Sequence, residues 1–276
     1  MTAPDRVLWI GGPSGSGKST AARLLARRHG FRWYSSDTRT WDHRDRAIAA
    51  GHPGAIAWEA MSIEQRNALS SQERRRLGHD RGPLTREDLA ALPERPAVVA
   101  DGTPFTPATV GPEPLRPPVH AVWLFADADV RAARTRSRGW GAAGTAEDLD
   151  RAREFAAELA ETGGVMISTG DHHDPRQTVA AIEQVCADWL REQPAADSLE
   201  ERRALIREGN AAIVAQYRAG LARPWSTAVP EQIVRAYDCE CADPGCVELI
   251  SLPLSAFPEP FGPEAPPVLA PGHRAR

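Results

Sequence analysis

The sequence predicts an α/β fold in three layers, a five-stranded parallel sheet with helices on both faces. Three observations predict it. Five short apolar segments alternate with amphipathic helical stretches, the pattern of strands joined by helical crossovers. A glycine-rich turn joins the first apolar segment directly to a helix. The charge and apolar content are ordinary for a globular chain: 276 residues, 42% hydrophobic and 25% charged, with a formal net charge of −4. That charge argues against a dedicated nucleic-acid binder, and four cysteines are too few for a disulfide scaffold at this size. The chain contains no apolar run of the length a membrane span needs, and residues 1–6 lead into a strand rather than a signal-peptide pattern, so a cytoplasmic location is expected.

The first strand, residues 6–11, runs into Gly12-Pro13-Ser14-Gly15-Ser16-Gly17-Lys18-Ser19, which fits G-x-x-x-x-G-K-[ST] at every position. Small residues there let successive backbone N–H groups turn inward on a phosphate chain. Thr20 and the residues after it supply a helix N-terminus, which favours anions. Lys18 is placed to reach the β- and γ-phosphates of a nucleotide, and the Ser19 hydroxyl to bind Mg²⁺. Lys18 is also the only lysine among 33 Lys plus Arg. In a chain so biased to arginine, a retained compact ammonium points to a task that a wide guanidinium cannot perform. The glycine spacing does not match the dinucleotide pattern G-x-G-x-x-G.

Further strands are expected at 31–35, 96–101, 120–125 and 164–168, and helices at 21–29, 128–138, 146–161 and 178–192. In such a sheet the chemistry collects at the carboxyl ends of the strands. There the sequence offers the phosphate loop after the first strand, Ser36-Asp37 after the second and Asp101-Gly102-Thr103 after the third.

On these motifs, residues 5–192 resemble the small P-loop kinases, a group that includes adenylate, shikimate and gluconate kinases, chloramphenicol phosphotransferase, polynucleotide kinase and zeta toxins. The resemblance implies a P-loop NTPase fold, ATP or GTP as donor and Mg²⁺ as cofactor. It implies that Asp37 contacts the acceptor hydroxyl as general base or orienter, with Arg39 and Arg44 nearby. It also implies that Asp101, followed by Gly102, helps hold Mg²⁺ through water. A lid over residues 127–145 would close on the nucleotide with Arg131, Arg134 and Arg138. Phosphoryl transfer asks mainly for charge neutralisation and an in-line hydroxyl, and arginine forks match phosphate oxygens. Steps of three and four residues put these lid arginines on one helical face.

The connection over residues 38–95 is far longer than an ordinary strand-to-helix loop. It reads as a helical acceptor-binding insertion that includes a charged helix over 62–76, and Trp41, His43 and Trp58 are its candidates for stacking on or bonding to an acceptor. The run Arg74-Arg75-Arg76-Leu77-Gly78-His79-Asp80-Arg81 is the segment suited to a nucleic-acid backbone.

A linker at 193–198 ends the kinase-like region. After it, Ser198-Leu199-Glu200-Glu201 opens a long helix to about residue 220 within a mostly helical module over 199–257, and the proline-rich tail 258–276 is expected to be disordered. Cys239, Cys241 and Cys246 form a Cys-x-Cys-x₄-Cys group that resembles pieces of small bacterial proteins of unclear role. Three thiolates suit zinc, which wants four ligands in a structural site; a reduced turn and a reversible disulfide are the alternatives. Cys186 lies in a helical stretch and His273 in the loose tail, so neither is expected to complete the set. His172 and His173 read as a polar loop.

The expected function is therefore a kinase that transfers a γ-phosphoryl group to a hydroxyl of a small molecule such as a nucleoside, sugar or antibiotic-like alcohol. The alternatives are a nucleotide-dependent switch acting on a protein partner through the C-terminal module, and a polynucleotide 5′-hydroxyl kinase.

Overall fold

A computed structural model describes residues 3–136, 146–170, 174–258 and 265–275. Arg138, His172 and His173 lie outside the described residues. The five expected strands are present as β1 (Val7–Gly11), β2 (Arg32–Ser35), β3 (Val98–Asp101), β4 (Ala121–Phe125) and β5 (Val165–Ser168), all parallel in the order β2-β3-β1-β4-β5. This is the arrangement typical of P-loop NTPases. Every residue of the central strand β1 is buried, as expected of a strand covered on both faces.

One face is covered by α1 (Lys18–His29), α10 (Pro175–Val185) and α11 (Ala187–Glu192), packed through Leu25, Val179, Ile182 and Trp189 onto Leu8, Ile10, Val122 and Leu124. The other face carries Leu89, Phe105, Val110 and Leu159 against Val7, Trp9, Val98 and Trp123. These come from α6 (Gly82–Ala91), α7 (Pro107–Val110) with the segment leading into it, and α9 (Ala146–Thr162). The remaining helix of this half is α8 (Ala128–Arg136). The sequence pattern joined 178–192 in one helix, whereas the chain breaks at Cys186, which caps α10 and starts α11.

The insertion is helical, with α2 (Thr40–Ala49), α3 (Pro53–Ala60), α4 (Ile63–Ala68) and α5 (Ser71–Arg76) preceding α6. The expected single helix over 62–76 is two. Ser62 with Gln65 and Ser70 with Glu73 each form a reciprocal capping box, and the second box restarts the helix that would otherwise continue.

α12 (Leu199–Leu221) starts at Ser198, whose side chain accepts from the Glu201 N–H as the sequence predicted. Beyond α12, the module carries strands that the sequence reading did not name. Its centre is an antiparallel pair, β6 (Val234–Asp238) and β7 (Leu249–Pro253), which packs on Val214 of α12 with Tyr237, Leu254 and Phe257. The tail expectation is corrected as well. Ala265, Val268 and Ala270 are buried, and the tail backbone is bonded to the module through Glu240 N–H to Val268 O at 2.8 Å and Arg207 to the carbonyl oxygens of Ala265 and Pro266. Proline richness removed the periodicity that would have signalled order, yet extended segments need none when side chains hold their carbonyls. No described helix is long and apolar enough to cross a membrane.

Candidate active site at the phosphate loop

β1 delivers the chain into the loop at the carboxyl edge of the sheet. Gly12 (φ 123°), Gly15 (φ 81°) and Gly17 (φ 90°) all take positive φ, and two of them are also pinned by close approaches. A Cβ on Gly12 would lie 2.2 Å from Leu124 O, and one on Gly15 would lie 2.9 Å from Arg131 O. The loop is therefore threaded between the end of β4 and the start of α8, which only glycine permits. Pro13 and Ser14 form the half-buried tip, and Ser16 Oγ donates to Pro13 O at 2.8 Å. Lys18 Nζ crosses the loop to donate to Pro13 O at 2.8 Å. Thr169, just beyond β5, donates through Oγ1 to Ser16 O at 2.9 Å and fixes the loop from the far side. Gly17 caps α1 with no side-chain bond, and no acidic residue stands in the first turn, so the positive end of the helix faces the hollow of the loop.

The Mg²⁺-binding candidates meet directly. Ser19 Oγ donates to Asp101 Oδ2 at 2.6 Å, and the indole N–H of Trp33 donates to Asp101 Oδ1 at 2.7 Å. Asp101 ends β3, in register with Ile10 and Ser35, and is fully buried. Burial pushes its carboxyl up to about 6, with the Asp37 charge adding to the rise and the Ser19 and Trp33 bonds and Lys18 opposing it. A hydroxyl beside a carboxylate that desolvation makes reluctant to ionise is a donor set that a divalent cation would stabilise, so the residues fit Mg²⁺.

Trp33 is a supporting residue that sequence reasoning did not identify. Its ring lies against Gly209 of α12, where a Cβ would come within 2.8 Å of Trp33 Cε3. The C-terminal module thus buttresses the indole that holds Asp101. Nothing in the local pattern of β2 signals this contact, since its partner is contributed from far along the chain.

Asp37 lies in the 3-10 turn Ser36–Arg39 after β2, with its side chain 45% exposed and Arg81 Nη1 3.9 Å from its carboxylate. Gly102 passes so close to Ser36 that a Cβ would meet its Oγ at 2.1 Å, which draws the ends of β2 and β3 together. Arg81 also donates to Ser36 O and, through Nε, to His43 Nδ1 at 3.4 Å. His43 is fully buried and its Nε2 lies 2.8 Å from Asp88, which also accepts from Tyr34 and Arg46. Because Nδ1 accepts from Arg81, the ring proton resides on Nε2 and is donated to Asp88. This network holds the Asp88 carboxyl down to about 2. His43 therefore positions Arg81 beside Asp37 instead of reaching an acceptor.

A cleft of about 400 Å³ opens beside Arg81, lined by His79, Asp80, Arg86, Pro104, Thr106, Ala108 and Thr109. Burial and the neighbouring Arg44 and Arg81 depress His79 to about 4, so its imidazole is neutral at physiological pH. Among the described residues neither of its buried ring nitrogens has a hydrogen-bond partner. His79 and Arg81 were visible in the sequence only as part of a basic run, and Arg86 carried no signal there. That run is not a continuous charged face, since Arg81 turns inward and Arg74 is bonded to the carbonyls of Arg66 and Leu69.

Several expected contacts are placed elsewhere. Trp41 packs against α12 at Gly220 and lies 5.5 Å from Trp225. Arg44 lies over Trp41 and Trp58, with ring centroids 5.8 and 4.9 Å away. These residues, with Arg66 and Arg223, form a stacked ladder that joins the insertion to the C-terminal module. They do not line the cleft. Arg39 is exposed at the start of α2. Arg131, expected on the nucleotide, is buried with its guanidinium 2.8 Å from Asp148. Of the described arginines expected in a lid, Arg134 meets the loop, donating from Nη1 to Gly15 O at 3.1 Å. Thr20, exposed in the first turn of α1, lines a second depression of about 340 Å³ with Leu24, Pro175, Arg176, Val247 and Leu249.

Cys239, Cys241 and Cys246 gather at the opposite end of α1, and His273 stands with them. The expectation that His273 floats in a loose tail is corrected: a turn at Pro271-Gly272, with Gly272 at φ 80° and His273 N–H bonded to Ala270 O, brings the imidazole back.

No family model matches this chain, and no curated protein matches it. Among solved structures, the crystal structure of an unliganded sugar kinase from Janibacter sp. HTCC2649 is similar over 69% of this chain and 98% of its own, at 21% identity and a TM-score of 0.37. So loose a likeness has no bearing on substrate. The fold follows from the strand order and the phosphate loop.

Proposed function

We propose that this chain is a Mg²⁺-dependent kinase that transfers the γ-phosphoryl group of ATP or GTP to a hydroxyl of a small polar alcohol. The observation that carries this reading is the Ser19–Asp101 bond at the foot of the phosphate loop, with Asp37 at the neighbouring strand end beside a polar cleft. Bound Mg²⁺ would draw charge from the phosphates, and Ser19 and Asp101 would hold it, the latter through water. Lys18 and the loop N–H groups would bind the β- and γ-phosphates, and Arg134 would offer charge at the rim. The depression beside Thr20 suits the nucleotide base, with Leu24, Pro175 and Val247 as apolar walls. Asp37, kept in place by Arg81, would accept or orient the proton of the attacking hydroxyl.

The cleft lining is rich in charged and hydroxyl side chains and has no Phe, Tyr or Trp among the described residues, which favours a hydroxyl-rich, sugar-like acceptor over an aromatic one. The test is incubation with γ-labelled ATP, Mg²⁺ and a panel of sugars, nucleosides and aminocyclitol or amphenicol alcohols, with mass spectrometry for a product heavier by one phosphoryl group. A phosphorylated sugar is expected. Failure of the purified protein to bind any Mg²⁺–nucleotide would overturn the reading.

A further inference from the structure

We propose that Cys239, Cys241, Cys246 and His273 form a structural zinc site that clamps the C-terminal tail and the β6–β7 module onto α1. The four ligand atoms all lie within 4.8 Å of one another. Zinc bonds of about 2.3 Å to sulfur and about 2.0–2.1 Å to nitrogen at tetrahedral angles require S···N edges of about 3.6 Å. The His273 Nδ1 edges are 3.4 Å to Cys239 Sγ and 3.7 Å to Cys246 Sγ. The exposures of the cysteines are 0%, 4% and 7%, so the cage is closed in the way structural zinc sites are.

The surroundings supply what a thiolate-rich centre needs. Zn²⁺ with three thiolates and a neutral imidazole carries a net charge of −1, formed as three thiol protons leave to solvent. The Arg27 guanidinium, in a side chain buried under the cluster, lies 4.0 Å from Cys241 Sγ and donates to the carbonyls of Cys239 and Asp243. None of these described partners is a carboxylate, so the centre itself is the anion that Arg27 faces. The Ala270 N–H points at Cys239 Sγ at 3.3 Å, a backbone bond of the kind that stabilises ligand sulfur. Asp243-Pro244-Gly245 makes the turn between the second and third cysteines, with Cys246 N–H bonded to Asp243 O.

The site also explains how a segment without helical or strand periodicity is held in place. Around it, Glu240 is fully buried, receives Arg207 and Asn210, and accepts from Val268 N–H. Zinc closes the end of the chain that this network leaves open. Because Arg23 pairs with Asp238 at 2.6 Å and Arg27 reaches the cysteine turn, the clamp bears on the helix whose first turn is the phosphate loop.

The test is elemental analysis of the full chain purified under reducing conditions, followed by chelation and titration of the apo-protein with Co²⁺. One zinc per chain is expected, as are tetrahedral ligand-field bands with thiolate-to-cobalt charge transfer. His273→Ala should lower metal affinity and alter the ligand-field bands. His273→Cys should restore affinity and strengthen the charge-transfer band. Arg27→Gln leaves all four ligands in place and should weaken zinc by ~10–100-fold. Metal removal should speed amide exchange over residues 265–275. Folded protein that takes up neither metal overturns the proposal, as does a cobalt spectrum unchanged by His273→Ala. The wild-type cobalt titration decides the matter even if a cysteine variant fails to fold.

Discussion

The phosphate loop and the ladder that joins the insertion to α12 are both tightly packed, yet they use polar groups in opposite ways. At the loop, a buried carboxyl and a helix N-terminus are held where the chain itself satisfies them incompletely. In the ladder, the guanidinium groups of Arg44, Arg66 and Arg223 are directed at the chain itself, lying over the rings of Trp41, Trp58 and Trp225. The difference teaches that a site built for a ligand should lose chemistry before stability when altered, and a seam built for the chain should lose stability before chemistry.

The largest effect is expected at Lys18. Lys18→Ala removes the compact charge at the terminal phosphates and should lower turnover by at least ~10³-fold, with little change in Tm. A variant that unfolds while the remaining native fraction keeps full rate would reverse the comparison. Next is Asp37→Asn, which should lower kcat by ~10²-fold or more with nucleotide Kd unchanged by calorimetry, because the side chain is half-exposed and faces Arg81 rather than the loop. Equal loss in nucleotide affinity would move Asp37 out of the acceptor role.

Asp101 sharpens the contrast because its effects have opposite signs. Its folded pKa of about 6 lies above the ordinary 3.8, so the folded state holds the proton more tightly than the unfolded chain. That contribution to stability is complete below pH 4 and is lost as pH rises through 6. Asp101→Asn should therefore stabilise the metal-free protein above pH 7 by roughly 2–3 kcal/mol while abolishing Mg²⁺-dependent turnover. Mg²⁺ affinity of the wild type should fall as pH drops below 6, where the carboxyl of the metal-free protein takes its proton. Trp33→Phe deletes a bond that lowers this pKa, and the acid limb should shift to higher pH. An acid limb that stays in place would detach Trp33 from the site.

How much of this was legible follows from where the information lies along the chain. The phosphate loop is a motif of eight consecutive residues, so spacing alone specified it, and the five parallel strands followed from alternating periodicities, though not their order in the sheet. The strand-end positions of Asp37 and Asp101 were legible because the strands themselves were. Arg81 and His79 were not, since their roles depend on how the insertion folds back, and a run of arginines carries no direction. His273 stands 34 positions from Cys239 in a segment without periodicity, and only the turn at Gly272 brings it home. The contacts of Trp41 were not legible, because the sequence of the insertion says nothing about a helix that arrives from residue 199 onward to cover it.

That last case gives the smallest predicted effect and the cleanest break point. Trp41→Phe keeps an aromatic face for Arg44 and Arg223 but shrinks the ring against Gly220, which the indole approaches closely. Cation–π pairs of this kind contribute about 0.5–2 kcal/mol, and a smaller ring retains part of that. Denaturant unfolding should therefore show a loss of about 1 kcal/mol, while the KM for the acceptor and kcat stay within about twofold, since Trp41 touches no group that lines the cleft. A Trp41→Phe protein of unchanged stability whose acceptor KM rises tenfold would place the indole on the substrate, and the seam would then belong to the site.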